Sequence, residues 1–243
     1  MAGPPDSGEG AVTEYENAVP RRGRPPKITR DQIIDAVLAS GFSGLTIPAL
    51  AQRLGVTTMT IYRHAATRSE LLAMAWERVL ERHTWPNCEG PWRRLLHEHA
   101  TTLWDLLADH PGAAIELSSA VLPSRMINLY DDLSIALVDQ GFEVSDAILA
   151  VDTIIDLTID HRRGIENLMK IVDNDKNISL YEKIHASWIS SDETITSRQK
   201  EIRTAFNMAI EAPPREWFHK KLNLILDGLT LRHENSNIIL FKK

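Results

Sequence analysis

Apolar residues along most of this chain recur at spacings of three and four, the period of one face of an α-helix. The period-2 alternation of half-buried strands is almost absent. The pattern therefore predicts an all-α protein. Thr29-x-x-Gln32 has the form of a capping box, in which side chains satisfy the unpaired N–H groups at a helix start. The helix it opens carries Ile33, Ile34, Val37 and Leu38 on one side and stops at Gly41. Thr67-x-x-Glu70 opens a longer helix through Leu71, Leu72, Ala75, Trp76, Val79 and Leu80 to about His83. Pro91, Pro111 and Pro123 sit where new helices start, because proline's fixed φ suits a first turn. Helices follow near 92–109, 112–119, 124–140 and 145–169, and Pro213-Pro214 begins a last one that runs to His233. Residues 171–212 carry a weaker pattern, with a loop at Asp173 to Asn177 and a helical run at Ile195 to Ile210.

Composition sharpens this picture at the N-terminus. Hydrophobic residues at 43% and charged residues at 25% are globular values, which excludes wholesale disorder. Five of the twelve prolines and four of the twelve glycines, however, fall within the first 26 residues, so that stretch reads as a mobile arm. No apolar run approaches the roughly 18–20 residues of a membrane span, and MAGPPDSGEG is neither basic nor apolar enough to be an export signal. A single cysteine, Cys88, allows no intramolecular disulfide and no thiolate metal cage. A soluble protein of the reducing cytoplasm is expected.

The net charge of -6 is unevenly spread. Residues 21–83 hold ten Lys or Arg against five Asp or Glu, whereas residues 84–243 hold 17 against 24. A basic N-terminal third that meets a polyanion, joined to an acidic module with another task, fits this asymmetry.

The stretch from Leu45 to His64 accommodates two short helices, Ile47 to Leu54 and Thr57 to His64, wedged together by Leu50, Leu54, Val56 and Ile61. Ala51 is small enough for a close crossing, and Gly55 can take the left-handed conformation that ends the first helix. This is helix-turn-helix spacing. An αα-hairpin in an ordinary helical core would show the same small residues; the basic surroundings and the polar second helix favour DNA. Thr57 would cap that helix and leave Thr58, Met59, Thr60, Tyr62, Arg63 and His64 facing DNA. Arg63 could grip a guanine with two hydrogen bonds, and Thr58, Met59 and Thr60 could touch thymine methyl groups.

The run LTIPALAQRLGVTTMTIYRHAATRSELL resembles the DNA-binding domain of the TetR family of transcriptional repressors, and the likeness covers about residues 28–76. Thr46, Ala51, Gly55, Tyr62 and His64 match residues that recur in that family. The resemblance implies a phosphate contact for Arg68, the basic residue that opens the next helix. Pro48 replaces a common basic residue and so removes a phosphate contact, and Ala65 stands where an aromatic usually follows the histidine. Within the arm, Arg21-Arg-Gly-Arg-Pro-Pro-Lys27 resembles an AT-hook, whose arginines enter a narrow A·T minor groove. Arg21, Arg22, Arg24 and Lys27 then contact DNA; a solvated basic tail attracted to phosphate is the other reading.

Farther on, His110-Pro111, the segment Leu133 to Phe142 and Gly141-Phe142 resemble the C-terminal domain of the tetracycline-repressor subgroup. The resemblance implies a helical ligand-binding and dimerisation unit. Its pocket would be lined by Trp104, Leu107, His110, Ile115, Met126 and Ile155, although each of these also fits plain core packing. A gapless alignment puts Gly164 where tetracycline-binding members carry an acidic residue that helps hold the drug's Mg²⁺, which argues against a tetracycline–Mg²⁺ effector.

Asp152, Asp156 and Asp160 share one helical face, which is either solvated or set opposite a cation. His97 and His99 stand about 200° apart on a helix and cannot chelate together. No metalloprotease, nucleophile-elbow, phosphate-loop or dinucleotide motif is present. No catalytic residue, cofactor or metal is therefore expected.

The expected organisation is a basic arm (1–26), a helix-turn-helix domain (27–76), a helical effector-binding and dimerisation domain (77–234) and a tail (235–243). The expected function is a cytoplasmic homodimeric repressor that binds a palindromic operator and is released by a small molecule. Its dimer interface would use Asp146 to Met169 and Pro214 to His233, because apolar residues surround the last helix almost completely. An architectural DNA-binding protein without effector and a helical metal-dependent hydrolase are the alternatives.

Overall fold

The computed structural model describes residues 28–117, 123–173, 176–189 and 195–240. The arm with Arg21, Arg22, Arg24 and Lys27 lies outside the described residues. The chain is all-α, as the pattern predicts, and among the described residues only one short hairpin interrupts it.

Four helices form the N-terminal part: α1 (Arg30–Ser40), α2 (Ile47–Leu54), α3 (Thr58–Tyr62) and α4 (Arg68–Arg82). At α1 the capping box forms in both directions, with the Thr29 hydroxyl accepting from the Gln32 N–H and the Gln32 side chain accepting from the Thr29 N–H. Thr46 caps α2, and Gly55 ends it at φ 65°, ψ 31°, the left-handed region a residue with a Cβ resists. α3 is shorter than the expected Thr57 to His64. Thr57 holds the N-cap position without a side-chain cap, its hydroxyl lying 3.1 Å from that of Thr60. The far end closes early because the N–H groups of His64 and Ala65 both bond the Ile61 carbonyl. At α4 the Thr67 hydroxyl accepts from the Glu70 N–H, while the Glu70 carboxylate accepts from Ala66.

The remainder is built from α5 (Trp92–Asp109), α6 (Ala113–Leu117), α7 (Ser124–Val138), α8 (Val144–Leu168), α9 (Leu180–Ile189), α10 (Ser197–Glu211) and α11 (Pro214–Leu240). α8 is the central rod and packs against α5, α7, α6 and α11. Ala147, Ala150, Val151 and Ile154 form its buried stripe. α11 runs antiparallel to α8, since Asp146 pairs with Arg232 while His161 meets Phe218. Two further pairs, Arg215–Asp105 and Arg93–Asp227, tie α11 to α5. The last helix continues past His233 to Leu240.

The weakly patterned segment holds a two-stranded antiparallel hairpin, β1 (Ile171–Asp173) and β2 (Ile178–Ser179), with Ile171 opposite Ser179. α10 opens on a second capping box, Thr196 with Gln199. Among the described residues no helix is long and apolar enough to cross a membrane.

A single apolar cluster runs from Ile33 in α1 to Leu226 in α11, so the N-terminal helices and the α8 bundle share one core. Its junction is aromatic: Phe42, Trp76 and His110 meet edge to face, with ring centroids 5.6–6.1 Å apart. Gly112 turns the chain beside it at φ +90°, with its α-carbon against Ser43.

Candidate nucleic-acid interface and ligand cleft

The α2–α3 unit is organised around Ile61, which is fully buried against Leu50 and Ala51 and fixes which side of α3 faces outward. Thr57, Thr58, Met59, Tyr62 and Arg63 are exposed, while Thr60 and His64 are half-buried. Met59 is 62% and Tyr62 47% exposed, large apolar surfaces to leave in water unless something covers them. Of the seven predicted residues, Thr58, Met59, Thr60 and Tyr62 lie on α3, and Thr57, Arg63 and His64 flank it. Thr46 is exposed too; its hydroxyl accepts from the Ala49 N–H and retains its own hydrogen to donate. Arg53 is exposed and donates to the Ala39 carbonyl and the Ser40 hydroxyl.

Arg68 departs from expectation. Its guanidinium grips the Glu116 carboxylate with two bonds of 2.7 Å, and its Nε donates to the Leu45 carbonyl at 2.7 Å. In this structure Arg68 is a partly exposed strut between α4, α6 and the turn before α2. The Glu116 hydrogen bonds and charge raise the Arg68 pKa further.

None of the six predicted pocket residues lines the cleft described below. Leu107 and Met126 are completely buried, Ile155 is 3% exposed and Trp104 6% exposed, and they serve as core. Trp104 stacks on Phe218 at 5.7 Å beneath the Arg162 guanidinium. His110 belongs to the aromatic junction, where burial lowers its pKa. Ile115 is half-buried on α6.

A cleft of about 230 Å³ opens instead between α8, α10 and α11. Its walls are mainly apolar, with Ile165 and Leu168 from α8, Phe206 and Ile210 from α10, and Trp217 from α11. His161, Asp160 and Lys221 supply its polar groups, and Gly164 is part of its floor. His161 is 9% exposed, and its Nδ1 has no hydrogen-bond partner among the described residues. Burial, helped by the positive charges of Lys221 and Arg162, pushes its pKa down to about 4, so the ring is neutral at pH 7. Sequence reasoning missed this cleft because its walls come from residues 160–221, across the segment with the weakest pattern.

The remaining candidates separate. His97 faces His219 with ring centroids 5.2 Å apart, whereas His99 is buried with Nδ1 at 2.8 Å from the Leu95 carbonyl. Asp152, Asp156 and Asp160 are exposed; Asp160 pairs with Arg163 and Asp152 accepts from the Tyr130 hydroxyl. Partial burial, then the charges of Asp152 and Asp160, raise the Asp156 pKa.

Comparison with known proteins adds a lineage to this geometry. Residues 36–75 match the family model described as bacterial regulatory proteins, tetR family. The chain is 23% identical over 212 residues to the tetracycline repressor protein class E of Escherichia coli, covering 84% of this chain and 92% of that repressor. Its fold is similar to that of the TetR family protein ActR of Streptomyces coelicolor in complex with actinorhodin. The TM-score is 0.70 at 19% identity, over 85% of this chain and 98% of that one. The fold is also similar to that of BioQ bound to its double-stranded DNA operator, with a TM-score of 0.52 at 23% identity over 57% of this chain and 88% of that one.

Proposed function

The chain belongs to the TetR family of transcriptional regulators, and from that premise we propose that it is a ligand-released repressor acting as a homodimer on a palindromic operator. The observation that carries this reading is the outward face of α3, where polar and aromatic side chains sit exposed over a buried Ile61. Thr57, Thr58, Met59, Thr60, Tyr62, Arg63 and His64 read the major groove, Arg63 as the bidentate guanine contact. Thr46 holds phosphate at the edge of the site, and the arm with Arg21, Arg22, Arg24 and Lys27 adds counterion release or a minor-groove contact. Residues 1–26 act as the arm, 27–76 as the reading head, and 77–234 as the effector and dimer module. The bound DNA of BioQ and the bound actinorhodin of ActR support the two halves of this reading by likeness of fold.

The dimer is supported by a stripe on α11. Phe218, Leu222 and Leu226 face inward, whereas Leu224 is 74% and Leu231 64% exposed on one side with Gly228 between them. Joined by Leu149 of α8, which is 47% exposed, this face would bury apolar surface against a second copy of itself. Selection of operator fragments from random DNA should return two-fold symmetric sites. Arg63→Ala should weaken binding by about 1–3 kcal/mol and relax a single base position in each half-site. Non-palindromic selected sites, or sedimentation as a monomer at micromolar concentration, would overturn the reading.

A further inference from the structure

We propose that the cleft between α8, α10 and α11 is the effector site, and that it takes a flat aromatic molecule with one acidic group. The ring lies between Phe206 and Trp217, and the acid lies beside Lys221 and His161. This rests on the reading of the chain as a ligand-responsive repressor.

Three observations converge. The first is His161: a nine-tenths buried imidazole that lines the cleft and whose Nδ1, buried behind the wall, has no partner among the described residues. Such groups are rare in native interiors and call for a partner such as an ordered water, an ion or a bound molecule. The ring is neutral at pH 7, and in the tautomer with its proton on Nε2 it can donate that N–H to an acid oxygen.

The second observation is charge. Asp160, the acidic group at the cleft, is neutralised by Arg163 at 2.8 Å. Lys221 forms no ion pair among the described residues, and Arg162, close enough to act on His161, is paired with Glu166 at 3.6 Å. With Asp160 paired to Arg163 and Arg162 to Glu166, the charge left over at the cleft is that of Lys221, which favours an anion.

The third is shape. The apolar walls and about 230 Å³ of space fall just below the ~300–1,000 Å³ of pockets for drug-sized ligands, which suits one or two fused rings. Trp217 offers a ring face for stacking, with the Lys220 ammonium 5.8 Å from its centroid.

The position also suits regulation. Gly164 and Ile165 line the cleft, and the next residue, Glu166, accepts a 2.9 Å hydrogen bond from the Gly112 N–H, whose turn abuts Ser43 beside α2. Trp217 and Lys221 continue the outward stripe of Leu224, Gly228 and Leu231, so a ligand here borders the proposed dimer face.

The test uses full-length protein and two probes, 2-naphthoate and its neutral isostere 2-naphthamide, titrated calorimetrically. Three proteins are compared: wild type, Lys221→Met at the exposed mouth, and Ala209→Trp, which fills the cleft. Circular dichroism checks that both variants fold. The expected result is that Lys221→Met weakens naphthoate binding about tenfold, or ~1.4 kcal/mol, and leaves the amide unchanged. Ala209→Trp should abolish binding of both. Naphthoate binding that is absent at millimolar concentration, or identical in all three proteins, overturns the proposal. In parallel, operator binding is measured with naphthoate present. Binding in the cleft without any change in operator affinity removes its effector role. A different compound that releases operator equally from all three proteins leaves the repressor reading intact and refutes this placement alone.

Discussion

The Arg68–Glu116 pair makes the sharpest prediction, because it holds internally an arginine that the family resemblance assigns to phosphate. Glu116→Ala removes two charge-assisted bonds of 2.7 Å each. The Arg68 side chain is 37% exposed and that of Glu116 18%, so the full strength of a buried ionic bond does not apply. A loss of about 1–1.5 kcal/mol is expected, seen as a fall of roughly 2–6 °C in Tm for a chain of this size. On DNA the sign reverses. The released guanidinium adds one cation near the reading head, and the slope of log K against log salt should steepen by about 0.9. Arg68→Ala in the wild-type background should leave that slope nearly unchanged, because its charge is already neutralised by Glu116. Fluorescence anisotropy with an operator fragment across a salt series measures both. If Arg68→Ala lowers the slope by about one while Glu116→Ala does nothing, the pair opens on binding and the reasoning fails.

Gly112→Ala would place a Cβ 2.6 Å from the Ser43 backbone nitrogen at a φ of +90°, a clash with backbone that no rotamer change relieves. It should cost about 3 kcal/mol or more in urea unfolding, and a variant of wild-type stability would mean the turn is free to move. Acid should destabilise the fold, because burial holds His161 down to about 4 and lowers His99, His110 and His219 as well. A depressed folded pKa means the unfolded chain binds protons first, so stability present above pH 6.5 is lost as pH falls toward 4. His161 alone should account for about 2–3 kcal/mol, and His161→Phe should flatten the urea midpoints measured between pH 7 and 4.5.

The helices were legible in the sequence because their signals are local. The Thr29–Gln32 capping box, the Gly55 stop and the prolines before α5 and α7 each act within one turn, and each appears where the spacing put it. The outward side of α3 was legible for the same reason, since one buried Ile61 fixes it. Partners distant in sequence were not. Arg68 and Glu116 are 48 residues apart, and nothing local to either distinguishes a strut from a phosphate ligand. Apolar spacing on α5, α7 and α8 cannot tell a pocket lining from a packed core, and Leu107, Met126 and Ile155 are buried and lie outside the cleft. The cleft depends on α10 lying across α8 and α11, a placement that follows from the weakly patterned residues between them.

Release of DNA by a ligand requires that the cleft and the reading head share a mechanical path. α4 is the covalent one. The fold adds two non-covalent routes that reach the same place: Glu166 through Gly112 to Ser43, and Glu116 through Arg68 to Leu45. Between them, the void among Phe42, Trp76, Ala113 and Glu116 is only about 10 Å³, at the limit for one water. A junction packed this tightly cannot absorb a shift of α8 by local compression, so a displacement at Glu166 must either break the Gly112 bond or move the turn against Ser43. For a 100-fold loss of operator affinity the two states must differ by about 2.7 kcal/mol in ligand binding. One hydrogen bond to a carboxylate, worth about 1.5–3 kcal/mol, is enough to carry that difference. By reciprocity the operator weakens the ligand equally, so naphthoate titrated into the operator complex should bind about 100-fold more weakly than to protein alone.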